Sequence, residues 1–367
     1  MQTNPFTPVF GKVPLHLVGR SQVIEDVTHA LESHGNDPSL VSLFTGARGM
    51  GKTALLSALA NYAEEQGWIT ARVTAAPGML EEILLRVDRA ASHLAKQPAK
   101  RKITGMGIAS IVSLEWKNVE TSHANWRIKM EDIFDALDPS ETGVLITVDE
   151  VVSDLDEMTT LMTAVQHFLD ENRKVALLMA GLPSELSALL SGRTTSFARR
   201  AARYELGPIE DNDVETALRE TLASGGIHLD ESGLPYAVRS IGGFPYMLQL
   251  VGYRLWNLAA DKKEASSADV RNAVSQAQHE LETGVYEATY YDLTEADRAF
   301  LRAMLDDNTA SRQAELGERL GKQSGHVSKY KKRLVQQGVI EERPRGVLKF
   351  CLPGFKEYFA KQESELL

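Results

Sequence analysis

Gly46-Ala47-Arg48-Gly49-Met50-Gly51-Lys52-Thr53 decides the reading of this 367-residue chain. The stretch satisfies G-x-x-x-x-G-K-[ST], the spacing of a loop that cradles a polyphosphate. Before it, Val41-Ser42-Leu43-Phe44-Thr45 is a short apolar β-type run; after it, Ala54 to Ala60 has helix-forming composition and a helical apolar face. Strand, loop and helix follow one another as such a loop requires. Glycines at 46, 49 and 51 let the backbone turn sharply and aim several N–H groups at a polyphosphate, at the positive end of the following helix dipole. Lys52 would reach the β- and γ-phosphates as a point charge, and the Thr53 hydroxyl is placed to ligate Mg²⁺. The alternative is a Gly-rich turn that merely joins a strand to a helix.

About a hundred residues on, Val144-Leu145-Ile146-Thr147-Val148-Asp149-Glu150 is a nearly unbroken apolar run that ends in two carboxylates. A strand buried on both faces of a parallel sheet reads this way, and polar groups just past its carboxyl end fall where open α/β sheets bind ligands. The run resembles a Walker B strand. Asp149 would hold Mg²⁺ through water, and Glu150 would orient or deprotonate the attacking water. An Asp-Glu helix cap following a core strand is the competing reading.

Composition sets the bounds. The length suffices for two or three domains. One cysteine, Cys351, forms no internal disulfide, and Met1-Gln2-Thr3-Asn4-Pro5-Phe6 lacks the basic and apolar blocks of a signal peptide. With no apolar run long enough to span a bilayer, the expectation is a soluble cytoplasmic protein without a membrane partner. The net charge of −10 is uneven: from Arg312 to Lys349 ten basic residues stand against four acidic ones, which makes that segment +6 and the remainder −16. Such asymmetry points to a local anion-binding face on an acidic body.

Along the chain, Ser21 is the expected cap of a helix over Gln22 to Ser33. A strand over Trp68 to Thr74, a helix over Met79 to Leu94, a helix over Trp126 to Leu137, another over Leu155 to Asp170 and a buried strand over Val175 to Gly181 complete an alternating pattern. Alternation of this kind predicts a three-layer α/β core with a largely parallel sheet over 1–207, interrupted by an inserted hairpin or loop within 96–120. The inserted segment Lys96 to Lys117, which opens with the basic stretch Lys96 to Lys102, reads as a solvated basic loop or a partner-binding one. Beyond Gly207-Pro208 the strand signal fades. Helices over Asp213 to Ala223, Ser232 to Ile241, Tyr246 to Ala260 and Ser267 to Thr289 define a helical lid over 208–290.

A third unit spans 291–367. Thr294 caps a helix over Glu295 to Leu305, Arg312 to Leu320 and His326 to Gln337 form two more, and strand-like pieces at Val339 to Glu341 and Val347 to Leu352 flank the turn Arg343-Pro344-Arg345-Gly346. Helix, helix, turn, helix and hairpin is the order of a winged helix. His326, Ser328, Lys329, Lys331, Lys332 and Arg333 lie on its third helix, and Arg343 and Arg345 at the hairpin tip. The lysines and arginines suit DNA phosphates, and Ser328 or His326 would lie nearer base edges. A winged helix that docks a protein, with a merely solvated basic face, is the alternative.

Taken together, the chain resembles an AAA+ or STAND-type P-loop ATPase related to the origin-recognition and replication-initiator ATPases, over nearly its full length. Leu17-Val18-Gly19-Arg20 is similar to the family's N-terminal "VGR" box, whose backbone lies beside adenine. Gly242-Gly243-Phe244-Pro245-Tyr246 resembles the "GGxP" element of the lid, and Phe197-Ala198-Arg199-Arg200 resembles the segment that carries an arginine finger or sensor. The resemblance implies ATP or ADP with Mg²⁺ as cofactors. The cofactor residues it implies are Val18, Gly19, Arg20, the run Gly46 to Thr53 with Ala54, and Pro245, and the metal residues Thr53 and Asp149. The implied catalytic residues are Lys52, Glu150, Arg199 and Arg200, and double-stranded DNA or a second copy or other protein is the implied partner.

Each motif has a plainer reading: the arginine pair as surface charge facing lid carboxylates, and Pro245 as an ordinary first-turn proline. The chain departs from the family in two places. Ala180-Gly181 stands where a polar sensor, often Asn, ends the third core strand, and no arginine opens the Pro245 helix, so lid closure is read out by another group, Arg254, or by none. These departures imply a slow, switch-like ATPase rather than a motor. A kinase or other phosphotransferase is a third possibility, with nothing resembling an acceptor site to support it.

Overall fold

Strands whose every residue is apolar must be covered on both faces, and the helices that follow them in sequence supply the cover. The computed structural model describes residues 3–9, 12–33, 37–95, 123–191, 199–343 and 345–365. The insertion expected within 96–120 lies outside these residues. Two compact units emerge: Arg20–Gly46 with Lys52–Glu205, and Met1–Gly19 with Ala47–Gly51 and Leu206–Leu367.

In the first unit, β1 (Val41–Thr45), β2 (Ile69–Thr74), β3 (Val144–Val151), β4 (Val175–Gly181) and β5 (Ala202–Glu205) form one sheet in the order β2-β3-β4-β1-β5, and every neighbouring pair is parallel. All seven residues of β4 are buried, as its composition requires. One face of the sheet packs against the helices Met79–Ala95, His123–Leu137, Asp156–Asp170 and Pro183–Ser191, around Trp126, Phe134 and Phe168. The Phe134 and Phe168 rings lie 4.9 Å apart, and the Trp126 indole N–H, which burial would otherwise leave unpaired, donates to the Leu80 carbonyl at 2.5 Å. The helix Lys52–Glu65 runs against β2, β3 and β4, beside the helix Ser21–Ser33.

Three details differ from expectation. The Arg20 carbonyl accepts the Ile24 N–H, so Arg20 rather than Ser21 occupies the cap position. β3 does not stop at its carboxylates but continues to Val151. β5 was not expected as a strand: it is a four-residue edge element, half of it exposed, with an arginine and a glutamate among its residues.

The second unit contains the helices Asp211–Ser224, Leu234–Ile241, Pro245–Ala259 and Ser267–Leu281. The last of these continues through a π-helical turn, Glu282–Tyr286, into Glu287–Tyr291, so the single helix expected to Thr289 carries a wide turn near its end. Two short strands, β6 (His228–Leu229) and β7 (Glu264–Ala265), pair in parallel among these helices. The N-terminal arm docks here. Phe6 is 3 % exposed and sits over Gly252, and Asn4 and Thr7 bond to Tyr253, Asn257 and Gln249 of the same helix.

Thr294 and Asp297 form a complete capping box for the helix Glu295–Leu305. The helices Gln313–Leu320 and Ser324–Gln336 follow, then β9 (Ile340–Arg343) and β10 (Val347–Phe350) as an antiparallel hairpin, with β8 (Ser311–Arg312) on the other edge of β10. A closing helix, Phe355–Glu365, was not expected. It buries Phe355 and Phe359 against Tyr286 and Tyr290, and its buried Glu363 accepts the Tyr290 hydroxyl at 2.8 Å and pairs with Arg302 at 2.6 Å.

Candidate functional site

The first unit gathers its chemistry at the carboxyl ends of β1 and β3. β1 is flanked by β4 and β5 rather than by β2, the next strand in sequence, and in such sheets ligands bind outside the carboxyl ends of the strands. Gly46 follows β1 and is buried; Lys52 and Thr53 begin the next helix. Lys52 Nζ donates to the Gly46 carbonyl at 2.7 Å, which folds the ammonium back over the start of the loop. Thr53 Oγ1 donates to Asp149 Oδ2 at 2.5 Å, joining residues 96 positions apart. The other carboxylate oxygen of Asp149 accepts the Glu150 N–H at 2.9 Å. Asp149 is half-buried and Glu150 exposed.

A hydroxyl against a carboxylate is a hard-oxygen pair that fits Mg²⁺. Among the described residues no three His, Cys, Asp or Glu side chains converge to hold a metal. A cation at Thr53 and Asp149 would therefore complete its shell with water and ligand phosphates, as this ion commonly does. Glu150 has φ +52, in the left-handed region that a side chain of its kind rarely adopts. Strain of this type costs about 1–3 kcal/mol and concentrates at functional sites.

The second unit contains the loop tip. Gly49 and Gly51 have φ +78 and +83, so the glycines answer to backbone conformation as the sequence implied. Met50 is buried, and its N–H donates to the Ala47 carbonyl, while Arg48 points to solvent. Phe244 packs directly on Gly49: a Cβ placed there would lie 2.6 Å from Phe244 Cζ. Pro245 stands 4.0 Å from the corresponding position on Gly51 and opens its helix at the first turn. Gly243 has φ +70 and presses on Pro208 and Ile209, and its carbonyl accepts the Ile209 N–H at 2.8 Å. Gly19, φ +68, lies against Ile209 and Asp213, beside a half-buried Val18. Sequence reasoning chose Pro245 and passed over Phe244, although a large aromatic between Gly-Gly and Pro was the available signal.

Arg20 is buried at the head of its helix, and Ala54 is half-buried in the first turn after Thr53. Arg199 and Arg200 are both exposed; Arg199 Nε is 3.4 Å from the Leu190 carbonyl and lines, with Arg203, Thr45 and Leu186, a cavity of about 570 Å³. Arg254 is bound to Glu280 within its own helical unit. On the helix Ser324–Gln336, His326, Ser328, Lys329 and Lys332 are exposed, as is Arg345 at the hairpin turn. Arg333 is not presented in the same way. It grips the wholly buried Asp297 and the Thr294 hydroxyl, with Nε 2.8 Å from Asp297 Oδ1. Lys331 pairs with Glu342 and Arg343 with Glu341, at 2.8 and 2.7 Å.

A family model for the AAA ATPase domain matches residues 16–225, more than half of the chain. The chain belongs to that family. A second model, for a domain of unknown function, matches residues 283–359. Among solved structures, this AAA ATPase domain protein is similar to a Walker-type ATPase of Pyrococcus abyssi, with 17% identity, TM-score 0.61 and coverage of 94% of this chain and 96% of that one. It is also similar to the ORC2 protein of Aeropyrum pernix, at 14% identity, TM-score 0.60 and 98% of each chain, and to Cdc6p from Pyrobaculum aerophilum, at 15% identity, TM-score 0.51 and 97% of each. Identities this low show a shared fold, that of P-loop ATPases related to origin-recognition proteins. No curated protein matches the sequence. No helix of the described residues is long and apolar enough to cross a membrane.

Proposed function

We propose that this AAA ATPase domain protein binds ATP with Mg²⁺, hydrolyses it slowly, and uses its nucleotide state to bias the presentation of a DNA-binding winged helix. The observation that carries the reading is the gathering of Lys52, Thr53, Asp149 and Glu150 at the carboxyl ends of β1 and β3. The ORC2 protein of Aeropyrum pernix, described in ADPNP and ADP complexes, is a nucleotide-binding relative in fold. Mg²⁺, held by Thr53 and Asp149, would neutralise phosphate charge. Lys52 would hold the β- and γ-phosphates, and Glu150 would orient a water toward the γ-phosphorus. Attack by that water breaks the bond to the β–γ bridging oxygen; ADP carries away the bridging oxygen, phosphate takes the water oxygen, and a proton goes to solvent. The exposed Arg199 and Arg200 suit donation of a guanidinium to a neighbouring copy.

In this reading residues 208–290 are a lid and 291–367 the winged helix. His326, Ser328, Lys329, Lys332 and Arg345 form its DNA face, with Arg343 at the rim, while Arg333 holds the recognition helix to the cap of the helix Glu295–Leu305. Nucleotide shifts the winged helix only as far as ATP and ADP favour different conformers. A second reading, in which this face docks a protein, draws support from the internal pairing of Lys331, Arg333 and Arg343. Titration of a short mixed-sequence duplex with ATP, with ADP and without nucleotide, at two salt concentrations, decides between them. Phosphate contacts make affinity fall steeply with salt. Binding no stronger than background under all conditions removes DNA from the account.

A further inference from the structure

Gly181 occupies the position where the family resemblance leads one to expect a polar side chain, and the structure gives a steric reason for its being glycine. β3 and β4 run in regular parallel register from Val144 opposite Val175 to Val148 opposite Met179; the register then slips, and Val151 faces Gly181. Three steps along β3 thus match two along β4, so β3 carries one extra residue. That bulge contains Glu150 in its left-handed conformation. Gly181 is not itself among the residues with positive φ, so backbone conformation does not demand a glycine there. Space does. A Cβ on Gly181 would stand 3.1 Å from Val151 Cβ, 3.3 Å from its carbonyl oxygen and 3.4 Å from its nitrogen, in a fully buried setting.

We propose that Gly181 is a positioning residue for Glu150. By leaving room for Val151 at the bulge, it fixes the backbone turn that keeps the Glu150 carboxylate exposed near the carboxyl end of β3 while the Glu150 N–H turns back onto Asp149. In a regular strand, residues 149 and 150 would point to opposite faces of the sheet, and a carboxylate at 150 would face a helix layer. The absence of a polar sensor and the left-handed glutamate are then one arrangement. The site sets its water-orienting group by backbone packing. This inference rests on reading Glu150 as the group that acts on water.

The test uses the full chain carrying Gly181→Ala or Gly181→Asn, with phosphate release measured against ATP concentration and a fluorescent ATP analogue titrated in parallel. A methyl at 181 must move Val151 by a few tenths of an ångström, and misplacement on that scale lowers kcat by about tenfold. The expected result is a fall in kcat for both variants with unchanged affinity for the analogue. Gly181→Asn at or above the wild-type rate would mean that the position wants a polar sensor, and the proposal fails. Equal loss of affinity and kcat also overturns it, since that is general damage. A wild-type chain that releases no phosphate refutes the hydrolytic reading itself, whereas an active wild type with an equally active Gly181→Ala refutes only the positioning role. As an independent arm, Glu150→Gly relieves the left-handed backbone and raises the melting temperature; no rise contradicts the strained bulge.

Discussion

Replacing Gly49 by alanine places two separable stresses on the loop tip, and a double-mutant cycle with Phe244 resolves them. The first is torsional. At φ +78 an alanine costs about 1–2 kcal/mol whatever surrounds it. The second is steric: the new Cβ lies 2.6 Å from Phe244 Cζ and nearer still to Cε2, against an ordinary carbon–carbon separation of about 3.5–4.0 Å, so the ring must retreat by about 1 Å. Phe244 is 2 % exposed, and truncating it to alanine costs about 3–5 kcal/mol through lost burial and the cavity left behind. In the double variant the alanine methyl enters space the ring has vacated, so the steric part vanishes and the torsional part stays. The coupling should therefore be about 1–3 kcal/mol, with the double variant less damaged than the sum of the singles. Thermal melts of the four proteins read this as roughly 2–12 °C of recovered midpoint for a unit of this size. Additive midpoints would refute the contact, and with it the account of why residue 49 is glycine for two reasons rather than one.

Two further outcomes follow from the second unit. Arg319 donates to both oxygens of Asp307, at 2.7 and 2.9 Å, and holds its carboxyl down at about 2. A folded value below the ordinary one of about 3.9 stabilises above that ordinary value, and the gain is lost as pH falls through about 2. Melting followed by circular dichroism should show the wild type losing its advantage over Asp307→Asn between about pH 4 and about pH 2; parallel curves would contradict the pairing. Gly252→Ala drives a methyl to 2.6 Å from Phe6 Cζ and should expel the N-terminal arm, seen as faster proteolysis near residues 3–9 with the helix Pro245–Ala259 intact. Unchanged proteolysis would show that the arm is held elsewhere.

Much of the fold was legible because its signals are obligatory. The glycines at 49 and 51 answer to backbone conformations that other residues avoid, and β4 is buried at every position because it runs inside the sheet with the helices Lys52–Glu65 and Asp156–Asp170 packed on it. The Thr53 to Asp149 contact was readable as chemistry before it was seen as geometry. What escaped lacked a local signature. β5 is short, polar and stabilised by pairing with β1 rather than by its own pattern. The closing helix did carry a signal, Phe355, Tyr358 and Phe359 on one face, but the strand-like run before it masked its start. The left-handed Glu150 and the room at Gly181 depend on register between two strands, which no single stretch of sequence encodes. Arg333 reads as one of a basic series, yet a carboxylate 36 positions earlier takes it out of that series.

Phosphate release paired with nucleotide binding by Lys52→Ala and Glu150→Gln tests whether Lys52, Thr53, Asp149 and Glu150 form an ATP-hydrolysing site. Lys52→Ala should lose nucleotide altogether, while Glu150→Gln should keep ATP and lose turnover by about 10²–10⁴. Glu150→Gln that releases phosphate at the wild-type rate, or Lys52→Ala that still binds ATP normally, would contradict it.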